Sequence, residues 1–227
     1  MRICTGVETF TCPYNDWQDD SGCALCTNDF IGDSNEQGIL SEFSIFSRWK
    51  VACGELDFDN QYCVMPDCVC QRANLIRKPG YSPSARKPGR ADVTAVLGIS
   101  TYDTLPYSTA SEHSFRNCLE GFRSPRDGVT SLVSLHNLWH VYLGGIMSRV
   151  PISANDPAFL MHHCFIDKIF EKYIIQYDVR PSDYPPNTRP GHTPTECMVP
   201  FFPCNTHPQY LQSLANYGII FSSYNGF

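Results

Sequence analysis

The sequence predicts a mainly helical fold with little β structure, built around two neighbouring helices. The first helix is expected over residues 130–147 and the second over residues 155–177. Apolar residues recur in the second helix at intervals of three and four, which is the spacing of one helix face. Because few residues connect the two helices, we expect them to lie antiparallel and side by side.

Capping signals indicate where both helices begin and end. The first is expected to begin at residue 130 or 131, either of which can cap it, and to end at the glycine pair 144–145. The second opens with Asn155, Asp156 and Pro157. Asn155 or Asp156 can accept a hydrogen bond from the unpaired N–H groups of the first turn, and proline suits a first helical position that needs no N–H.

The remaining segments are predicted to be mostly loops. Residues 39–52 place apolar groups at mixed spacing, which fits a short helix and a short strand equally well. Residues 71–92 are rich in proline and glycine and predict a long, solvated surface loop with local positive charge. A polar segment at 10–30 and a tail at 179–227 flank the rest.

Length and composition indicate one domain over residues 1–227. Of these residues 42% are apolar, which is enough for a packed core. The net charge is −6 and no long run of Lys or Arg occurs, which argues against nucleic acid as a partner. No apolar stretch approaches the roughly 20 residues that cross a bilayer, so no membrane segment is expected.

Twelve cysteines are typical of an oxidising compartment, so a secreted or lumenal protein is expected. The first six residues nevertheless lack the apolar run of a signal peptide. We therefore expect the native N-terminus to lie upstream of Met1. Cys118 and Cys164 fall in predicted helical segments and are expected to be buried thiols.

Four of the seven histidines fall in the predicted helix pair. His136 and His140 are four residues apart, so their rings leave one helix face about one turn apart. His163 lies on the apolar stripe of the second helix and can supply a third imidazole. Three neutral imidazoles suit copper or zinc, although ordinary hydrogen-bonded histidines are the alternative. Asp167, one turn after His163, can orient a ligand ring or pair with an arginine.

Several segments resemble the second copper-binding half of the tyrosinase family. They are HNLWH (136–140), NDPAFLMHHCFID (155–167) and SFRNCLEGF (114–122). FTCPYNDW (10–17) resembles the stretch that follows the first copper site, and MVPFFP (198–203) the segment after the second. The resemblance covers nearly the whole chain, is closer to the vertebrate than the bacterial branch, and implies half of a four-helix bundle with disulfide-tied loops.

This resemblance implies a copper monooxygenase or catechol oxidase of melanin-type pigment chemistry, found in a melanosome-like lumen. Its partners are a phenolic small molecule and O2, and its product is an o-quinone. His136, His140 and His163 resemble the three ligands of the second copper, with zinc as the alternative ion. His162 is then a neighbour that does not bind the metal.

Further roles follow from the same resemblance. Glu120 resembles the acid that holds a water near the site, with a surface salt bridge as the alternative. Asn137 would share that water and help to deprotonate a phenol, since phenolate is the more electron-rich form. Phe159 resembles the ring that packs over the site and keeps it dry, although a plain core residue would look the same.

The resemblance also implies disulfides Cys23–Cys26 and Cys53–Cys63. A redox role for the Cys-x-x-Cys pair is disfavoured because no βαβ pattern surrounds it. The nine residues before the FTCPYNDW segment have no room for the first copper's histidines, so we expect one copper in this chain and a second chain over the open bundle face. A catalytically inactive remnant with one copper or zinc site is the alternative function.

Overall fold

The computed structural model describes residues 13–19, 22–51, 74–81, 86–124, 134–186, 192–197, 206–217 and 220–221. These ranges contain four α-helices: α1 (Arg90–Leu97), α2 (Phe115–Glu120), α3 (Leu135–Leu143) and α4 (Pro157–Tyr177). They also contain five 3-10 helices: Gly145–Ser148, Ser153–Asn155, Pro181–Asp183, His207–Tyr210 and Leu214–Tyr217. Extended pairing there is limited to four isolated bridges, so the predicted mainly helical class with little β structure is confirmed. Among the helices of this part of the chain, none combines the length and apolarity needed to cross a bilayer.

The chain divides into two compact units. The first unit comprises residues 1–86 and 140–165, and the second comprises residues 87–139 and 166–227. Both α3 and α4 contribute residues to each unit.

Helix α4 begins and ends where the sequence predicts. Asp156 is its cap, since its Oδ1 accepts a hydrogen bond from the backbone N–H of Ala158 at 2.8 Å. Asn155 instead ends a 3-10 turn. Pro157 takes the first helical position and Tyr177 the last, giving a helix of 21 residues. The local signals of cap and proline therefore suffice to define this element.

An ion pair buried in the first unit holds the start of α4. The Arg77 guanidinium donates through Nη2 and Nε to the two carboxylate oxygens of Asp156, at 2.7 and 2.9 Å. Its Nη1 donates to the carbonyl oxygens of Ile31 and Gly32, both at 3.0 Å. Neither charged side chain is exposed. Burial of the arginine is tolerated because its donors are paired.

The prediction of a solvated surface loop over residues 71–92 is wrong at several positions. Leu75 is 1% exposed and packs in the core of the first unit, and Arg77 is fully buried. Arg90 begins α1, and Asp92 accepts from the backbone N–H of Gly89 in its first turn. Proline and glycine content indicates irregular backbone, but it does not show whether that backbone is covered by other segments.

Helix α3 ends at Leu143, four residues earlier than predicted. The glycine pair stops it, because Gly144 and Gly145 adopt φ of +61° and +55°, a region that favours glycine. Residues 145–148 continue as a 3-10 turn, in which the N–H of Ile146 donates to the carbonyl of Ile76 at 3.0 Å. The predicted start at residue 130 or 131 lies outside the described residues.

Replacing Gly145 by alanine is expected to destabilise the first unit by about 2–3 kcal/mol. A Cβ at this position would lie 2.0 Å from the carbonyl oxygen of Ile76, and φ is already left-handed. Urea denaturation followed by circular dichroism measures the effect. Gly22→Ala is the control, because its nearest neighbour, the Tyr142 hydroxyl, would be at 3.9 Å. Equal midpoints for the two variants would contradict the prediction.

The first unit has an apolar core. In the first unit the core cluster consists of Leu40, Val51, Leu75, Ile146 and Ile152, with Phe46 partly buried against it. Residues 39–51 contribute to this core through turns and isolated bridges, so neither the helix nor the strand expected for residues 39–52 is found over their described part. Their mixed apolar spacing matches this irregular backbone.

In the second unit, aromatic stacking joins α2 to α4. The Phe115 and Tyr173 rings lie 3.5 Å apart and are nearly parallel. The Tyr173 hydroxyl donates to the carbonyl of Ser100, and that of Tyr177 to the carbonyl of Leu97. These contacts fix the second half of α4 against the segment that follows α1.

Candidate metal centre

Helix α3 carries two of the predicted ligands on one face. His136 and His140 are one helical turn apart, and nitrogen atoms of their rings lie within 4.8 Å of each other. Both side chains are partly buried. The four-residue spacing therefore gives the juxtaposition that the sequence predicts.

A backbone carbonyl fixes the ring of His140. Its Nδ1 lies 2.8 Å from the carbonyl oxygen of Met147. A carbonyl can only accept, so Nδ1 carries the proton and the lone pair is on Nε2. The double-glycine turn after α3 brings this carbonyl back to the histidine. Such a hydrogen bond to the distal nitrogen is the usual support of a histidine that binds a metal.

His136 has the same tautomer for a similar reason. Its Nδ1 lies 3.1 Å from Oδ1 of Asn137 and 3.3 Å from the carbonyl oxygen of Glu120, and both atoms are acceptors. Burial lowers the pKa of His136, and the contacts with Glu120 and Asn137 partly oppose this shift. The ring is therefore neutral at pH 7, which is the form that binds a metal.

His163 on α4 meets His140 at a distance that one ion can bridge. Their Nε2 atoms are 3.3 Å apart. Two metal–nitrogen bonds of about 2.0 Å at a tetrahedral angle separate the nitrogens by roughly 3.3 Å. The Phe159 ring stacks on His163 with centroids 4.0 Å apart and contacts His140 by its edge at 5.8 Å. Phe159 thus packs against both imidazoles.

His162, predicted not to bind the metal, also lies beside His140. The three-histidine group that could hold a metal ion consists of His136, His140 and His162, whose ring nitrogens lie within 4.8 Å of one another, and it contains His162 in place of the predicted His163. His162 is fully buried, and its Nδ1 accepts a hydrogen bond from the indole N–H of Trp17 at 3.2 Å. Distance alone therefore leaves two candidates on α4 for one position beside His140.

The carboxylates differ in their proximity to the histidines. Oε1 of Glu120 lies 3.7 Å from Nδ1 of His136, and the Glu120 side chain is 46% exposed. Asn137 contacts the same ring nitrogen. Asp167 follows His163 by one turn and is exposed. The structure thus brings Glu120 and Asn137 to His136, on its Nδ1 side.

The structure confirms two of the cysteine predictions and corrects a third, since Cys164 is a thiol that is only partly buried. Cys23 and Cys26 form a disulfide. Cys118 is a buried thiol, and burial raises its pKa to about 11, while Cys164 is partly buried. The predicted pair Cys53–Cys63 lies outside the described residues.

The donor set fits a copper or zinc ion. His136 and His140 have hydrogen bonds that leave the lone pair on Nε2, and His163 places its own Nε2 at a bridging distance from His140. Imidazole nitrogens suit both metals. Sequence reasoning did not find the roles of the Met147 carbonyl or of the Trp17 indole. Of these two residues, only Trp17 could have been noticed in the sequence, because it is the last residue of the FTCPYNDW segment.

Comparison with known proteins identifies the family. The family model described as the common central domain of tyrosinase matches residues 1–176. Tyrosinase of Felis catus is 38% identical over 226 residues, covering 96% of this chain and 42% of the relative. Tyrosinase of Canis lupus familiaris is 41% identical over 207 residues, or 88% of this chain and 39% of the relative.

A second group of relatives has a different name. The 5,6-dihydroxyindole-2-carboxylic acid oxidase of Mus musculus is 33% identical over 211 residues, covering 88% of this chain and 39% of the relative. The chain thus spans about two fifths of the length of the curated relatives it matches. With the family model matching residues 1–176 and vertebrate relatives aligned along most of the chain, this protein belongs to the tyrosinase family, in its vertebrate branch.

Proposed function

We propose that His136, His140 and His163 hold one copper ion and that this chain supplies the second copper site of a tyrosinase-type centre. The separation of 3.3 Å between the Nε2 atoms of His140 and His163 carries the proposal, because it suits two ligands of one ion. The Nδ1 hydrogen bonds of His136 and His140 support it, since they put both lone pairs on Nε2. Membership of the tyrosinase family favours copper over zinc.

The proposed reaction is the oxidation of a monophenol or a diphenol to an o-quinone. With a monophenol, one oxygen atom of O2 enters the ring and the other leaves as water, so one phenol and one O2 give one o-quinone and one water. With diphenols, two catechols lose two electrons and two protons each, and one O2 takes up these four electrons and four protons to become two waters. Copper supplies the redox chemistry of this exchange when bound. We assign the first copper's histidines to a part of the protein outside this chain, and we expect a second chain or segment to cover the ligand face.

We propose that Glu120 and Asn137, which lie beside His136, help to remove the proton of the incoming phenol. The Glu120 carboxylate, 3.7 Å from the His136 ring, is close enough to hold a water shared with Asn137. A base at this point favours phenolate over phenol. Phe159, stacked on His163, keeps water from the other side of the ligand rings.

The proposed location is a secreted or melanosome-like lumenal compartment, where melanin-type pigment chemistry would occur. The Cys23–Cys26 disulfide supports an oxidising environment. The names of the relatives, which include an oxidase of 5,6-dihydroxyindole-2-carboxylic acid, support a phenolic or dihydroxyindole substrate.

Metal titration of the full chain tests the copper site. We expect one copper per chain by elemental analysis after loading and desalting, because the ligand set is sufficient for one ion. His140→Ala removes the α3 ligand that lies beside His163 of α4, and we expect the copper content of this variant to fall at least about tenfold. His192→Ala is the control, because His192 is exposed and lies outside the proposed ligand set.

Two results would overturn the proposal. Copper content below one ion in ten chains would show that the histidines do not form a site, and equal loading of the His140→Ala variant would place the ion elsewhere. Zinc retained in preference to copper would instead favour a single-metal protein without oxidase activity. Catechol oxidation that appears when the N-terminal part of a tyrosinase relative is added, and that requires His140, would support the enzyme.

A further inference from the structure

Helix α4 carries two consecutive histidines beside His140, and a hydrogen bond from Trp17 to one of them distinguishes the two. His162 and His163 both have ring nitrogens near His140. Adjacent residues on a helix point about 100° apart, so only one of them can occupy a given position around an ion. The contact that bears on this choice is made at Nδ1 of His162.

An indole N–H is a donor and never an acceptor. Trp17 Nε1 is 3.2 Å from Nδ1 of His162, so Nδ1 must provide the lone pair of this bond. A neutral imidazole has one lone-pair nitrogen and one N–H. The proton of His162 is therefore on Nε2, which is the reverse of the arrangement in His136 and His140. In this tautomer Nε2 of His162 cannot bind a metal.

We propose that Trp17 is a positioning residue that keeps His162 out of the metal's ligand shell and so selects His163 as the ligand from α4. The inference rests on the metal site proposed above and adds to it the reason for the choice between two neighbouring imidazoles. Trp17 acts through His162, whose Nδ1 accepts the hydrogen bond of the indole N–H.

Packing in the first unit holds the indole in place for this role. Trp17 has no exposed surface, and its ring contacts Phe165 edge-on at 4.9 Å. The Tyr14 ring stacks on the same phenylalanine at 6.0 Å. The backbone N–H of Asn15 donates to the carbonyl of Met161 at 3.1 Å, next to His162 in sequence. The segment that carries Trp17 is thereby fixed to residues 161–165 of α4 by contacts of Tyr14, Asn15 and Trp17 itself.

Burial makes the hydrogen bond selective. His162 is fully buried, so water does not readily replace the indole as a donor to Nδ1. If the proton moved to Nδ1, it would face the Trp17 N–H, and two donors would be opposed at 3.2 Å. The tautomer that could bind a metal through Nε2 is thus disfavoured as long as the indole N–H is present.

The Trp17→Phe variant tests the proposal, since it removes the N–H and retains an aromatic ring against Phe165. Nitrogen-15 NMR of the metal-free full chain, labelled at histidine, reads the tautomers directly. In the native chain we expect His162 in the single Nε2–H form. In Trp17→Phe we expect a mixture with the Nδ1–H form. Trp49→Phe, at a residue that is 47% exposed, is the control and should leave His162 unchanged.

Copper loading then measures which of the two histidines, His162 or His163, binds the ion. We expect one Cu(II) electron paramagnetic resonance signal in the native chain and two in Trp17→Phe, from ions held with His163 or with His162. Adding His162→Gln to Trp17→Phe should restore a single signal, which general loosening of the fold would not do. An unchanged tautomer in Trp17→Phe, or one unchanged copper signal, would overturn the proposal. Failure of the native chain to bind copper would overturn the proposed metal site instead. The NMR experiment uses the metal-free chain, so it would still test the effect of Trp17 on the His162 tautomer.

Discussion

Replacing Asp156 by alanine is expected to lower the free energy of unfolding by about 3–5 kcal/mol, because it leaves Arg77 charged and unpaired in the interior. The carboxylate accepts two hydrogen bonds from the guanidinium and one from the backbone N–H of Ala158. The substitution thus removes the cap of α4 along with the ion pair. Urea denaturation at pH 7, followed by circular dichroism, measures the loss.

Two further variants separate the charge from the cap. Arg77→Met with Asp156→Ser removes the buried pair but retains an oxygen that can cap α4, so we expect it to be less destabilised than Asp156→Ala. Asp33→Ala changes an exposed carboxylate and should shift stability by less than about 0.5 kcal/mol. If Asp156→Ala and Asp33→Ala unfolded at the same urea concentration, the ion pair would not hold the fold.

The same substitution is expected to weaken the proposed metal site. Asp156 fixes the first turn of α4, and Phe159 and His163 follow within two turns of it. Fraying of that turn would release the ring stacked on His163. We therefore expect copper affinity to fall even at temperatures where Asp156→Ala remains folded.

Helix α4 shows which parts of the fold can be predicted from local sequence. An Asp cap, a proline at the first position and an apolar stripe define its beginning and its 21 residues without reference to the rest of the chain. The pair His136 and His140 is predictable for the same reason, since helical periodicity alone places the two rings on one face.

The remaining contacts depend on residues distant in sequence. Arg77 pairs with Asp156 across 79 positions, and no spacing rule connects the two residues. Burial of Arg77 could therefore not be predicted from the segment that was expected to be a surface loop. Trp17 reaches His162 across 145 positions. The early end of α3 follows from the approach of residues 76–78 to the glycine pair, which leaves no room for side chains. Sequence reasoning named the proposed ligands, whereas the tautomers of His136 and His140 depend in part on carbonyl groups outside α3, those of Glu120 and Met147.

Replacing Phe115 by alanine should cost the second unit about 3–5 kcal/mol in unfolding free energy. Phe115 is fully buried and stacks on Tyr173 at 3.5 Å, so truncation removes this contact and leaves a cavity. Thermal and urea unfolding measure the loss. The control is Phe43→Ala, at a phenylalanine that is 78% exposed, and we expect its effect to stay below about 0.5 kcal/mol.

Phe115→Ala also has a consequence for His136. Phe115 begins α2, which ends at Glu120, and the carbonyl of Glu120 lies 3.3 Å from Nδ1 of His136. Loosening α2 would withdraw this acceptor, and loss of such outer contacts commonly lowers metal affinity by about 10–100-fold. We therefore expect Phe115→Ala, assayed below its unfolding midpoint, to bind copper more weakly than Phe43→Ala. Equal copper affinities in the two folded variants would show that Asn137 alone suffices to orient the His136 ring.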